Sequence, residues 1–422
     1  MNSELSQPET GQLTLAPPPD ATLEAAISTV GAELLSSIQA VLGSLPNSGS
    51  GPGALGRLVG VDKVLASRVL KAVRSRDAIS AMHGMPGPDP LRRMVRGAAR
   101  RGVPAGTTNR ANAAIDAFDA LIRDRVGDRS LLDTIISAWV PDARREFELR
   151  RKQAAFKAIS QLRGVQADSN MATVVLYPST DGQHIDVVWV NGLFELHRVR
   201  PGVGVKLTTR RLGGADTARR PVSLGGTPVE DLSGLLLADF CSDPLPRMAV
   251  QHMGDAVHYT LAQQGFGQAS SVDVVFAEAN LNELVRYVPP GSNRKSYFFA
   301  EAVTPAKVLQ FDLLVHEDLY PGQTPSLRLY DTSFEGVANP NNPARDIDQL
   351  DMMESIEDMG SGLSRFRAAD VPRYAELLGR VFDRMHWDPG RCRGYRCRID
   401  YPVYGSQVTM VFRAQERDAT GP

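Results

Sequence analysis

The chain has 422 residues, and its 47 Lys and Arg nearly balance its 48 Asp and Glu, so the net charge is close to zero. Hydrophobic residues make up 42% and charged residues 23%, which is ordinary globular composition and excludes a wholly disordered chain. Three cysteines exclude a disulfide-built scaffold. The first twenty residues lack a basic start and an apolar stretch, and no apolar run reaches the ~18 residues of a membrane span. We therefore expect a soluble, cytoplasmic protein of two or three domains with no membrane partner.

The near-neutral total conceals an uneven distribution of charge. Residues 57–101 hold eleven basic and three acidic side chains, a net charge of +8. Residues 311–361 hold eleven acidic and two basic side chains, a net charge of −9. Such asymmetry is typical of an anion-binding module joined to a different module, although solvated faces of an ordinary protein also carry charge runs.

The N-terminal part has the apolar spacing of helices. Residues 1–20, with three consecutive prolines, are expected to form a disordered tail. Residues 78–90 contain several Gly and Pro and are expected to form a loop. Apolar residues about 3.6 positions apart predict helices over 21–44, 91–101, 110–126, 130–139 and 142–163. Gly164 is expected to end the last of these.

After Gly164 the apolar spacing changes to that of strands. Asp181-Gly182 and Asn191-Gly192 are dipeptides typical of hairpin turns. One late helix is expected after an Asp370 cap, and the acidic run 345–358 is expected to be an amphipathic surface helix. Since strands and helices do not alternate, the fold class predicted is α+β: an all-helical N-terminal region followed by a large β-rich mixed domain.

This reading divides the chain into four parts. They are a tail at 1–20, a helix-turn-helix region at 21–105, a helical linker or dimerisation segment at 106–164, and a β-rich sensor or effector domain at 165–415.

The helix-turn-helix expectation depends on spacing around one short turn. Gly56 is small enough to let a second helix approach the first. Gly60, four residues later, suits a turn residue with positive φ, and Asp62 suits the cap of the second helix. The remaining positions of the two helices, which are expected to face outward, carry mainly basic side chains. The candidate DNA-binding residues are Arg57, Lys63, Ser67, Arg68, Lys71 and Arg74.

The run GVDKVLASRVLKAV, residues 60–73, resembles the turn and recognition helix of IclR- and MarR-type bacterial transcription regulators. Those families read roughly G-[LV]-S-K-S-T-V-S-R-L-L-K-A-L, and Ser67-Arg68 falls where they place a groove-contacting Ser-Arg pair. The resemblance covers residues 53–76 only. Ala66 replaces the usual β-branched residue, and no wing hairpin is evident after Arg76.

The resemblance implies a transcriptional regulator that binds double-stranded DNA as a homodimer, since one recognition helix reads about one half-site. The helix at 142–163 or the one at 370–386 is then expected to form the dimer seam. The C-terminal domain would sense a small molecule or a protein partner.

Two other functions remain open. An enzyme, metal-dependent or not, would use a site in the β-rich domain, and its best candidates are His316, Glu317, Asp318 and Asp331. An interaction or assembly protein would dock through the acidic run 345–358, which could also mask the basic region within the same chain. We assign no catalytic residue, metal ligand or cofactor, and we expect Cys241, Cys392 and Cys397 to be structural thiols.

Overall fold

A computed structural model gives the structure of the chain, and it describes residues 22–46, 51–75, 77–211, 222–228, 232–253, 256–262 and 265–417. The expected tail at 1–20 lies outside the described residues. The chain forms two compact units, residues 1–148 and 149–422. The first is helical and the second is built mainly of strands, so the predicted α+β class is confirmed.

The first unit is a bundle of helices. They are α1 (Leu23–Gly43), α2 (Pro52–Val59), α3 (Lys63–Ala72), α4 (Ala78–Gly84), α5 (Pro88–Ala99), α6 (Ala105–Ala120), a π-helical turn (Leu121–Val126) and α7 (Arg129–Ser137). A further helix, α8 (Pro141–Arg163), crosses the boundary between the units and ends before Gly164, whose φ of 72° confirms the expected terminator. The interval 106–164 is thus divided between the units, and α6 packs against α1 and α5.

Helix α1 is the central helix of this unit. Its side chains Ile27, Leu34 and Ile38 are fully buried, and the helix packs against α4 and α6. By length and composition α1 is apolar enough to cross a membrane, and it is the one such helix among the described residues. Half of its apolar stretch is buried within the bundle.

The expected loop at 78–90 is wrong. Residues 78–84 form α4, whose first turn is capped by Asp77 through a 2.8 Å bond from the Ser80 amide. Pro88 and Pro90, two of the prolines that favoured a loop, instead lie in the first turn of α5, where a proline costs no hydrogen bond.

The second unit contains three small sheets and one large sheet. Its strands are β1 (Val165–Pro178), β2 (His184–Arg198), β3 (Lys206–Arg211), β4 (Met248–Met253), β5 (Ala256–Leu261), β6 (Val272–Val285), β7 (Tyr287–Val288), β8 (Lys295–Glu301), β9 (Ala306–His316), β10 (Ser326–Asp331), β11 (Glu357–Ser361), β12 (Cys392–Asp400), β13 (Ser406–Arg413) and β14 (Gln415–Glu416). One longer helix, α9 (Tyr374–Met385), follows β11.

The large sheet has the order β11-β12-β9-β1-β2-β6, with only β1 and β9 parallel. One of its faces packs against the sheet β10-β13-β8, and the other packs against the apolar stripe of α9. The sheet β3-β5-β4 shares a further apolar cluster with β2 and β6. Because the apolar side chains of α9 are buried against the large sheet, they are not available to form a dimer seam.

Three local predictions for this unit are wrong. The hairpin turn predicted at Asn191-Gly192 does not form, because this dipeptide lies inside the continuous strand β2, where Asn191 pairs with both Ala172 and Phe276. Neighbours on both sides keep the strand extended, and Gly192 instead makes room for the Phe194 ring, which a Cβ would approach to 2.8 Å.

The acidic run 345–358 is not a helix. A short 3-10 turn covers Pro343–Asp348, and the chain then runs irregularly into β11. The buried guanidinium of Arg345 donates to the carbonyl oxygens of Val337 and Gly336, and the Leu350 amide donates to Leu329. These tertiary bonds replace the helical ones.

Asp370 does not cap α9, which begins four residues later after Arg373 in a left-handed conformation. The carboxylate of Asp370 instead accepts a 2.7 Å bond from Arg398.

A buried ion pair joins β9, β12 and α9. Asp312 is fully buried, and Arg396 donates to its two oxygens from Nε at 2.9 Å and from Nη2 at 2.7 Å. The Tyr374 hydroxyl donates to the same carboxylate at 2.8 Å and also lies 2.7 Å from the Thr173 hydroxyl. Burial raises the pKa of Asp312, and the hydrogen bonds from Arg396 oppose that shift.

Asp312→Asn should lower the free energy of unfolding of the second unit by about 3–5 kcal/mol, because it leaves the buried Arg396 without a counter-charge. Urea unfolding of the full chain, followed by tryptophan fluorescence, measures this change. Glu376→Gln is the control, since its pair with Arg373 is exposed and should contribute little. Equal stability of the two variants would contradict a central role for the buried pair.

Candidate nucleic-acid interface

The turn between α2 and α3 has the geometry that its glycines predict. Gly60 adopts a left-handed conformation with φ of 70°. A Cβ on Gly56 would lie 2.7 Å from the carbonyl oxygen of Val61, so only glycine allows this approach. The Asp62 side chain accepts a 2.8 Å bond from the Leu65 amide and caps α3. All three expectations for the turn are therefore confirmed.

The inward faces of the two helices are apolar. The side chains of Leu55, Val59, Ala66 and Val69 are buried in the core of the first unit. Helix α5 reaches α2 at Gly97, where any Cβ would overlap the carbonyl oxygen of Val59. The pair of helices is thus held from behind by close backbone contact.

The outward face carries the predicted residues, and all of them are exposed: Arg57, Lys63, Ser67, Arg68, Lys71 and Arg74. Helix α3 brings four of these together. Lys63, Ser67 and Lys71 are four residues apart and so form one stripe, with Arg68 beside it. Arg57 lies on α2, and Arg74 follows the end of α3.

Val64 is an exposed residue of this face that the polar pattern missed. Its side chain is 71% exposed although valine is apolar. It precedes Arg68 by one turn and lies on the same side of α3. Helical spacing applied to every residue type, rather than to the charged ones alone, would have found it.

Arg129 at the start of α7 was also missed, because no local pattern marks it. Its Nη2 donates to the carbonyl oxygens of Met82 and His83, at 2.8 and 2.9 Å, and pairs with Asp133 at 3.0 Å. Burial lowers the pKa of Arg129, and the positive charge of nearby Arg68 lowers it further, while Asp133 opposes the shift. Arg129 thus lies half-buried near Arg68, with its charge paired to Asp133.

Among the described residues of this unit, one acidic side chain pairs with the exposed face. Lys71 Nζ lies 3.8 Å from a carboxylate oxygen of Glu146 on α8. The Lys71 side chain is 80% exposed, so water screens this pair and it contributes little stability. The ammonium group therefore keeps its access to an anion. No strand occurs among the described residues of the first unit, so none of them forms a wing hairpin beside α3.

The candidate enzymatic cluster converges only in part. His316 ends β9 and is buried, and its Nδ1 accepts a 3.2 Å bond from the Asp318 amide and lies 3.6 Å from an Asp318 carboxylate oxygen. The exposed side chains of Glu317 and Asp318 also pair with Arg391. Asp331 pairs in register with Ser406, whose carbonyl oxygen accepts from the Ala302 amide just before β9 begins. Asp331 therefore lies near the opposite end of β9 from His316, and the four predicted residues do not form one shared site.

Cys392 and Cys397 do not form a shared site. Cys392 and Cys397 lie on opposite faces of β12, in two different apolar clusters. Burial raises the pKa of each thiol to about 12, so both stay protonated near neutral pH. Among the residues that the structure describes, no group of three His, Cys, Asp or Glu side chains could hold a metal ion.

Comparison with known proteins found no match to this chain among protein-family models, curated proteins or solved structures.

Gly56→Ala should destabilise the first unit by about 1–3 kcal/mol, because the added methyl group must displace the backbone at Val61. Gly53→Ala is a matched control on the same helix, where a Cβ meets only the end of Arg57 at 3.8 Å. The control should be neutral or slightly stabilising, since alanine favours helix. Thermal unfolding of the two variants compares them, and equal loss in both would contradict the close-contact role of Gly56.

Proposed function

We propose that the first unit binds double-stranded DNA, with α3 entering the major groove. The observation that carries this proposal is the exposed basic face of α3, held at a fixed angle by the Gly56–Val61 contact. A helix fits the major groove, and a helix-turn-helix presents its second helix there. The resemblance of residues 53–76 to bacterial regulators supports the same conclusion.

The side chains on this face suit distinct contacts. Lys63 and Lys71 would neutralise phosphates, which supply most of the non-specific affinity. Arg68 and Ser67, in the middle of the face, would reach base edges, where arginine pairs best with guanine. Val64 offers the apolar contact that a thymine methyl group takes. Together these contacts combine positioning on the backbone with readout of sequence.

The wider proposal is a cytoplasmic transcriptional regulator in which the second unit senses a ligand or a partner. A homodimer would place two copies of α3 on two half-sites, since one copy reads about one half-site. With the stripe of α9 buried, α8 is the better candidate for the dimer seam, and its Leu162 is 72% exposed.

Arg68→Glu should weaken binding to a random-sequence duplex at least tenfold, because it replaces a cation by an anion at the centre of the face. It should also make the salt dependence of binding less steep, because the substitution lowers the positive charge of the face that meets the phosphates. Fluorescence anisotropy of the full chain with labelled DNA, repeated across a salt series, measures both effects.

Arg123→Glu is the matched control, since Arg123 is an exposed arginine of the same unit outside α2 and α3. It makes the same change in net charge and should alter affinity much less than Arg68→Glu. Equal losses in the two variants would mean that only total charge matters and would remove the role given to α3. Absence of binding at low salt would remove DNA binding altogether.

A further inference from the structure

A cleft of about 190 Å³ opens on the large sheet of the second unit. Strands β1, β2 and β6 form its floor, and β8 and β3 supply residues to its walls. It lies at the position where the two smaller sheets, β10-β13-β8 and β3-β5-β4, each contribute a strand. Neither the candidate DNA interface nor the rejected enzymatic cluster includes any of its residues.

Three aromatic residues line the cleft, namely Trp189, Phe276 and Phe299. The rings of Trp189 and Phe299 have centroids 6.3 Å apart and meet edge to face, and both residues are half-buried. Tyr297 stacks behind Phe299 at 6.4 Å, and the nearly buried Phe276 adds a third ring to the floor. The faces of such rings carry partial negative charge and attract cations.

Glu301 is half-buried, and among the described residues it is the one acidic side chain that lines the cleft. No hydrogen bond or ion pair reaches its carboxylate from the described part of the chain, although its backbone carbonyl accepts from Asn170. Burial raises the pKa of Glu301, and the positive charge of Lys206 opposes that shift. Lys206 is on β3, its side chain is exposed, and it makes no close pair with the carboxylate. A desolvated carboxylate of this kind is stabilised by a counter-ion.

We propose that this cleft binds a small organic cation, an alkylammonium or quaternary ammonium compound. The ammonium group would lie against the faces of Trp189 and Phe299 and face the carboxylate of Glu301. The side chains of Asn170 and Asn191 would accept or donate hydrogen bonds to the remainder of the ligand. That such a cation is what the second unit senses rests on the proposed regulatory function, whereas the binding itself does not.

Choline is the probe, and its neutral isostere, in which a tert-butyl group replaces the trimethylammonium group, is the matched ligand control. Isothermal titration calorimetry of the full chain without DNA measures both. We expect choline to bind at least tenfold more tightly than the isostere, because only choline offers a charge to Glu301 and to the aromatic faces. Equal binding of the two compounds, or binding of neither, would overturn the proposal.

Three variants test the assignment of residues. Glu301→Gln keeps the shape of the side chain and should weaken choline binding at least tenfold, and Trp189→Leu should weaken it comparably. Lys206→Ala should strengthen it, because it removes the competing ammonium group near Glu301. A Lys206→Ala variant that binds choline less tightly, or a Glu301→Gln variant that binds it equally well, would contradict the proposed cation site.

The two substitutions at charged residues are not expected to disturb the fold. Glu301→Gln is isosteric, and Lys206→Ala truncates an exposed side chain, so far-UV circular dichroism should match that of the unaltered chain. Because DNA is absent from the titration, a failure of the DNA-binding proposal leaves these results unaffected. Conversely, a failure to bind choline would not affect the DNA-binding test with Arg68→Glu.

Discussion

The close approach of α2 to its neighbours is the constraint on which the candidate interface depends. Gly56 lets the backbone of α2 come within reach of Val61, and Gly97 lets α5 meet the end of the same helix. Close packing of this kind tolerates no added methyl group, so α2 can hold only one position. Since α3 is joined to α2 by a single turn at Gly60, its direction is set by the same contacts. The exposed face of α3 is therefore presented by a rigid support rather than by a flexible loop.

A comparable constraint acts in the second unit through charge instead of size. Asp312 lies in the middle of the large sheet with no access to water, and it is acceptable there because Arg396 and Tyr374 supply donors to it. The pair ties β9 and β12 to the first turn of α9. The carboxylate in the cleft on the opposite face of the sheet differs from that of Asp312. Glu301 is partly desolvated, and no hydrogen-bond donor contacts its carboxylate among the described residues. The fold itself thus supplies the partners of the buried Asp312 carboxylate, whereas the half-buried Glu301 carboxylate is left for the cation that we propose.

Sequence reasoning was accurate where one local rule decided the outcome. The Gly56, Gly60 and Asp62 spacing predicted a turn between two short helices, and Gly164 predicted the end of α8. It failed where partners distant in the chain competed. Residues 345–358 have helical spacing, but the hydrogen bonds of the buried Arg345 and of the Leu350 amide keep them out of an α-helix. The same holds for Asn191, whose strand has neighbours on both sides.

By itself the sequence determined the α+β class, the helical and β-rich halves, and the basic outer face of α3, because periodicity, caps and charge are properties of neighbouring residues. Only the tertiary structure decided that His316 and Asp331 lie far apart, that the stripe of α9 is buried, and that Arg129 lies near Arg68. It alone brought Trp189, Phe299 and Glu301 to one cleft. Residues more than a hundred positions apart in the chain meet there because of strand order and register, and no local pattern encodes either of these.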